Sequence, residues 1–281
     1  MPLSPPVACV VGWPIRHSRS PLIHRYWLRR YGIDGDYVPV PVEPDIAAAF
    51  FAGFTAGPYV GGNVTVPHKE VAFAAVARRD GVAEALGAVN TLYVENGRLI
   101  GANTDAPGFL ANLDHGAPAF RSLRGPAVVL GAGGAARAVI WALIDRGFAP
   151  VHVVNRTMSR AEALVERFGT RVRTATWEDL PHLLPAAAIL VNTTSLGMAG
   201  EPPLEIDLGP APDDLLVTDI VYVPLETPLL AKARARGLPT VDGLGMLLHQ
   251  AVPGFERWFG RRPEVTAELR DLVIADMAAG A

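Results

Sequence analysis

Cysteine occurs once, at position 9, so no disulfide can form within the chain. Cys9 lies inside the apolar run Val7-Ala8-Cys9-Val10-Val11. That context reads as a core strand with the thiol acting as a small hydrophobe, in preference to a nucleophile or metal ligand. Lysine is nearly as scarce, since Lys69 and Lys232 are the only two among the 25 basic Lys and Arg residues. Wherever a generic surface cation would serve, this chain uses arginine. No long run of like charge exists and the net charge is only -3, which excludes a nucleic-acid patch and an acidic tail and favours a small-molecule partner. No uninterrupted apolar segment approaches the roughly 18 residues that a membrane span needs, and no basic stretch leads into a long apolar run at the start. The chain is therefore expected in the cytoplasm, with no membrane partner. Asn63-Val64-Thr65, Asn155-Arg156-Thr157 and Asn192-Thr193-Thr194 fit the glycosylation sequon, but without export those asparagines need another reading. Histidines outside the motifs are scattered without ligand spacing, so no metal is expected.

Half of the 281 residues are apolar, enough for a sizeable core in one large or two medium domains. Apolar runs alternate with helical patterns from the start. Strands are expected at 7–12, 37–42 and 59–66, with helices at 20–31, 44–54 and from Pro67 onward. Ser20-Pro21 reads as an N-cap followed by proline at the first helical position. Asn96-Gly97 between apolar runs predicts a β-hairpin, placed at one edge of the sheet. The alternation predicts a mostly parallel sheet flanked by helices. A helix near 107–115 and a loop to Gly125 then lead into a second α/β pattern, with strands at 128–130, 151–154, 189–191 and 216–221. Two helices, 244–259 and 265–277, follow without a further strand, and the first domain is their expected packing surface.

The second pattern is built around Val128-Val129-Leu130-Gly131-Ala132-Gly133-Gly134-Ala135-Ala136, a strand running into a G-x-G-x-x-A turn that opens a helix. The first glycine permits the tight turn, the second lets backbone approach a pyrophosphate, and the small third residue lets helix and strand pack closely. The free N–H groups and dipole of the helix start favour an anion. Roughly 20 residues past the glycines, where an NAD site usually carries an acidic residue, the chain has Asn155-Arg156-Thr157 and then Arg160. No carboxylate there would repel a 2′-phosphate, and guanidinium groups suit one, so NADP is preferred over NAD.

The first domain carries the proton chemistry. In Asn63-Val64-Thr65-Val66-Pro67-His68-Lys69, the asparagine and threonine share one side of a strand and the lysine falls at a helix start. A cation there opposes the helix dipole, and in an arginine-rich chain the position calls for an amine suited to proton exchange. Asp105, in Gly101-Ala102-Asn103-Thr104-Asp105, sits where a hairpin strand gives way to a helix; it reads both as an N-cap and as a partner for Lys69 across a cleft. Asn90-Thr91 reaches the same level of the sheet, at strand ends where open α/β sheets bind ligands.

With Gly12-Trp13-Pro14, His17-Ser18-Arg19-Ser20-Pro21, Gly87 to Thr91, Asn192 to Met198, Asp219 to Tyr222, Thr227 to Leu230, Asp242 to Leu247 and Gln250-Ala251, these stretches resemble the shikimate dehydrogenase family over essentially the whole chain. The resemblance implies a substrate domain at 1–108 and 242–281, a doubly wound Rossmann-type NADP domain at 109–241, and a cleft between them. It implies reversible NADP-dependent interconversion of shikimate and 3-dehydroshikimate in aromatic amino-acid biosynthesis, the chorismate pathway. Lys69 matches the family's catalytic lysine and Asp105 its partner. Ser18 and Ser20 match the groups that hold the substrate carboxylate, Thr65, Asn90, Asp105 and Gln250 those on ring hydroxyls, and Tyr222 a further residue of that site. Cofactor positions fall on Gly131, Ala132, Gly133, Gly134, Ala135, Asn155, Arg156, Thr157, Arg160, Ile220 and Gly243. One departure is Arg25, where members commonly carry asparagine after the histidine; altered packing is expected there, with little effect on catalysis. The alternatives are a quinate or aminoshikimate dehydrogenase of the same build and, more remotely, a non-catalytic NADP-sensing protein. A monomer and a homodimer are both compatible with the sequence.

Overall fold

The computed structural model describes residues 5–279. The chain divides into two compact units. One ends at Thr104 and resumes at Gln250; the other is Asp105–His249. The breaks expected from the sequence lie at 108/109 and 241/242.

The first unit contains β1 (Val7–Gly12), α1 (Ser20–Tyr31), β2 (Asp36–Pro41), α2 (Ala47–Ala52), β3 (Tyr59–Val64), α3 (Lys69–Ala75), β4 (Arg78–Arg79), α4 (Gly81–Leu86), β5 (Thr91–Glu95) and β6 (Arg98–Ala102). Their sheet order is β2-β1-β3-β5-β6-β4. β1 pairs in parallel with both β2 and β3, whereas β3–β5 and β5–β6 are antiparallel. The hairpin turn is the expected one, with Asn96 at φ 52° and Gly97 at φ 71°, the left-handed pair that a two-residue hairpin requires. It does not form the edge, however. The two-residue β4 pairs in parallel with β6 beyond it, a strand too short to leave a periodic signal.

One face of this sheet is packed by Cys9, Val11, Phe51, Phe54, Val64 and Leu92, the other by Ala8, Val10, Tyr37, Tyr93, Ile100 and Trp258. Cys9 is thus a core residue, its thiol pushed up to about 12 by burial. Trp258 belongs to α10 (Leu244–Phe259), and α11 (Ala267–Ala279) follows it. The Trp258 indole donates to the Leu92 carbonyl at 2.8 Å and lies where a side chain on Gly61 would stand. Arg25 is explained by β2, since its guanidinium makes a two-pronged pair with Asp36 at 2.7 and 3.2 Å.

His24, on α1, has no solvent exposure and stacks on Tyr37 with ring centroids 4.0 Å apart and planes 8° from parallel. Burial pushes its imidazole down to about 3, with a smaller opposing contribution from Asn63. An unfolded histidine titrates near 6.5. As pH falls below that value the unfolded chain takes a proton that folded His24 refuses, so stability is lost progressively from about pH 6.5 downward. The slope from this one residue is about 1.4 kcal/mol per pH unit at most. His24→Phe keeps an aromatic ring against Tyr37 and should flatten the fall in urea midpoint between pH 7 and 5; an unchanged slope would assign the acid sensitivity elsewhere.

The second unit contains α5 (Asp105–Gly116), β7 (Ala127–Leu130), α6 (Gly134–Arg146), β8 (Val151–Val154), α7 (Met158–Phe168), β9 (Val172–Ala175), α8 (Leu180–Leu183), β10 (Ile189–Asn192), β11 (Leu216–Asp219), α9 (Pro228–Ala235), β12 (Thr240–Val241) and the first residues of α10. The strand order is β12-β11-β10-β7-β8-β9 and every pairing is parallel. The chain runs outward from β7 through β8 and β9, then returns to build the other half from β10. This is the doubly wound order, and its reversal between β7 and β10 is where such sheets open for a ligand. β9 and β12 were not expected from the sequence. Arg173 and Thr174 interrupt the apolar signal of the first, and the second has two residues. Lys232, the lysine outside the motifs, donates to the Ile206 carbonyl within this unit.

Candidate active site

Because β1 and β3 are parallel neighbours, the loops that follow them leave the sheet side by side. The Thr65 N–H donates to the Val11 carbonyl at 2.9 Å and the Trp13 N–H to the Val66 carbonyl at 3.1 Å. The serine loop and the Thr65 loop are thereby joined just beyond the strand ends. Ser20 is not the N-cap expected from the sequence; it is the first residue of α1, behind Arg19, and no side chain caps that helix. The reason lies in its surroundings. Ser20 is buried, its N–H meets the Ser18 hydroxyl at 3.4 Å, and its own hydroxyl is engaged by Tyr37.

Tyr37 starts a continuous buried chain of hydrogen bonds. Its hydroxyl donates to Asn63 Oδ1 at 2.7 Å. The Asn63 amide donates to the Asn90 carbonyl at 3.1 Å and to the Thr91 hydroxyl at 3.2 Å. Thr91 donates to Asn90 Oδ1 at 2.9 Å, and the Thr104 N–H donates to that same oxygen at 2.8 Å. A backbone N–H can only donate, so Thr104 fixes Asn90 Oδ1 as acceptor, and the direction of every bond back to Tyr37 follows. Asn63, whose sequon called for another reading, is a buried structural hub.

Lys69 is the first residue of α3 and half-buried. Pro67 therefore lies two residues ahead of the helix and not in its first turn. The preceding His68 is buried with Nε2 2.7 Å from the Val42 carbonyl. The Lys69 carbonyl accepts from the Val89 N–H at 3.0 Å, directly before Asn90. Lys69, Asn90 and Thr104 are thus held within a few hydrogen bonds of one another, and Asp105 follows Thr104 as the first residue of α5. Gln250 is half-buried in the middle of α10, and Tyr222 is half-buried after β11.

In the second unit Gly131 has φ +102°, and a Cβ there would stand 2.8 Å from the Thr193 hydroxyl and 3.0 Å from Thr194. Only glycine serves at this turn. Gly133 and Gly134, by contrast, have nothing within 4 Å of such an atom, so their backbone faces open space at the start of α6. A cavity of about 830 Å³ opens there, lined by Ala132, Gly133, Gly134 and Arg137 on one side and by Arg160, Ala163, Leu164, Glu166 and Arg167 on the other. Glycine backbone and three guanidinium groups around one cavity fit a phosphate-rich dinucleotide. Of the expected cofactor residues, the structure brings Ala132, Gly133, Gly134 and Arg160 together on it, with Gly131 buried beneath the turn. Asn155, Arg156 and Thr157 lie between β8 and α7, where Asn155 donates to the Thr157 carbonyl at 2.7 Å. Ile220 and Gly243 form a separate contact, a Cβ on the glycine standing 2.4 Å from the Ile220 carbonyl oxygen. Arg137 and Arg167 were not singled out from the sequence. For Arg167 the available signal was its spacing of seven from Arg160, which places both on one helix face.

Asn192, the remaining sequon, supports the turn. It donates to Asp219 Oδ1 at 3.0 Å, and its Oδ1 accepts from the Thr194 N–H and hydroxyl at 3.0 and 2.7 Å. Asp219 has no solvent exposure and also accepts from the Val221 N–H at 3.0 Å and from Thr227 at 2.8 Å; burial raises its pKa against these bonds. No group of three or more metal-ligating side chains occurs among the described residues, and no helix there is long and apolar enough to cross a membrane.

Three family models match the chain. They describe a shikimate dehydrogenase substrate binding domain over residues 10–92, shikimate / quinate 5-dehydrogenase over 118–199, and a shikimate 5′-dehydrogenase C-terminal domain over 243–267. A relative from Azorhizobium caulinodans named shikimate dehydrogenase (NADP(+)) is 60% identical over 270 residues, covering 96% of each chain. Among solved structures, shikimate 5-dehydrogenase from Thermus thermophilus in complex with NADP(H) and shikimate has a TM-score of 0.83 at 35% identity, covering 98% of this chain and 100% of that one. Quinate dehydrogenase from Corynebacterium glutamicum in complex with NAD has a TM-score of 0.87 at 30% identity, covering 96% and 99%.

Proposed function

The chain belongs to the shikimate dehydrogenase family, and from that premise we propose that it catalyses the reversible NADP-dependent reduction of 3-dehydroshikimate to shikimate in aromatic amino-acid biosynthesis. The observation that carries this reading is the gathering of Lys69, Asn90 and Thr104 beside strand ends in the first unit, with Asp105, next in sequence, opening the second. When bound, NADP supplies the hydride acceptor for shikimate oxidation, and its reduced form supplies the donor for the reverse.

Lys69 exchanges the proton of the reacting hydroxyl, taking it during oxidation and returning it during reduction, with Asp105 as its partner. Ser18 and Ser20 hold the substrate carboxylate. Thr65, Asn90, Asp105 and Gln250 orient its ring hydroxyls, and Tyr222 contributes to the same site. On the cofactor side the turn from Gly131 to Ala135 receives the pyrophosphate, and Asn155, Arg156, Thr157 and Arg160 receive the adenosine end with its 2′-phosphate. Ile220 and Gly243 complete the cofactor set. A cytoplasmic monomer or homodimer goes with this reading.

The test is absorbance of the reduced nicotinamide with purified protein, using shikimate or quinate with NADP⁺ or NAD⁺ in all four pairings. Shikimate with NADP⁺ is expected to give the highest kcat/KM. Folded protein that fails to reduce NADP⁺ with shikimate would overturn the proposal. Preference for quinate would favour the second reading, which the structural relative that binds NAD keeps in view.

A further inference from the structure

The cavity beside the glycine turn is bounded on its α7 side by Arg160, Ala163, Leu164 and Arg167. These positions are spaced i, i+3, i+4 and i+7, a single stripe along α7. At about 1.5 Å rise per residue the two arginines are rooted roughly 10 Å apart on one face, with a short apolar floor between them. Both side chains line the same space, and Arg137 lines it from α6. Glu166 is the one carboxylate on the wall.

We propose that Arg167 is a specificity-determining residue for the cofactor's 2′-phosphate, acting with Arg160. This inference rests on the NADP reading above and extends it to a residue outside the matched family motifs. The pyrophosphate is provided for by the backbone N–H groups of the turn and the start of α6, where Gly133 and Gly134 face open space. What distinguishes NADP from NAD is one further phosphate on the adenosine ribose, carrying a charge of about -1.5 to -2 near neutrality. In a doubly wound unit that ribose lies toward the end of the second strand, here β8, and α7 is the helix that follows β8. Arg160, in the first turn of α7, therefore lies nearest the distinguishing charge, and Arg167, in the last turn, lines the same cavity with it. Arg167 also balances its neighbour, because without it Glu166 would offset half of the remaining positive charge on the wall.

The test is binding, measured by calorimetry with NADP⁺, NAD⁺ and adenosine 2′,5′-bisphosphate at two salt concentrations, for wild type, Arg167→Ala and Glu166→Gln. Alanine is a good helix former, so the exposed α7 position should tolerate the change. Arg167→Ala is expected to weaken NADP⁺ and the bisphosphate by about fivefold to tenfold, the scale of losing one partly solvated charge-assisted hydrogen bond. NAD⁺ should be unaffected and the salt dependence of NADP⁺ binding reduced. Glu166→Gln should tighten NADP⁺ without changing NAD⁺. Equal losses for NADP⁺ and NAD⁺, or no loss for either, would overturn the assignment. A wild type that fails to discriminate NADP⁺ from NAD⁺ would instead overturn the cofactor reading beneath it.

Discussion

Replacing Lys69 by alanine is expected to lower kcat by about 10²-fold or more, the scale of losing a general acid-base group, while KM for shikimate changes far less. The substitution removes the amine at the head of α3, the group to which the proposal assigns proton exchange. Lys69→Arg provides the sharper comparison. Arginine keeps the positive charge but stays protonated throughout the accessible pH range, so a proton-transfer role predicts a loss as severe as that of alanine. A purely electrostatic role predicts that arginine restores most of the rate. Twenty-three of the 25 basic residues in this chain are already arginine, so a position where arginine sufficed would be expected to carry it. Steady-state kinetics with shikimate and NADP⁺ on both variants decides the matter, and near-wild-type turnover in Lys69→Arg would sink the proton-transfer assignment.

The second large effect is on stability. Asp219→Ala should cost about 3 kcal/mol or more, because it strands three donors that now share one buried carboxylate, at roughly 1–3 kcal/mol for each unsatisfied buried group. The donors are Asn192 Nδ2, the Val221 N–H and the Thr227 hydroxyl. The damage should spread toward the dinucleotide turn, since Asn192 holds Thr194 and Thr193 donates to the Leu130 carbonyl at 2.6 Å beside Gly131. Urea unfolding and the affinity for NADP⁺ should therefore both deteriorate. A variant less than about 1 kcal/mol destabilised would mean that the site relaxes or admits water to satisfy those donors.

Both sheets were legible in the sequence because their strands are either continuous apolar runs or separated by strong turn chemistry, as at Asn96-Gly97. The missed strands, β4, β9 and β12, have two to four residues and are formed by pairing with a neighbour already in place. Ser20 shows the limit of a local rule. Its type and its position before proline announce an N-cap, but its hydroxyl faces a buried tyrosine from another strand, a tertiary contact that local sequence does not encode. Asn63 and Asn192 carry sequons, strand position and family resemblance in the sequence, but not the buried polar groups that each satisfies in the fold. Arg167 was hidden differently, within a helix whose polar face looks like ordinary solvent exposure until the glycine turn is placed opposite.

The chain of hydrogen bonds from Ser20 through Tyr37, Asn63 and Thr91 to Asn90 transmits orientation but does not conduct protons. Burial holds the Tyr37 hydroxyl well above its ordinary pKa, and the two carboxamides interrupt any hydroxyl-to-hydroxyl relay, since an amide passes a proton on only through a high-energy tautomer. The network fixes the orientation of its side chains through bonds whose donors and acceptors are set along its length. A proton therefore does not pass from Thr91 to Tyr37 along this path, which runs through the Asn63 carboxamide.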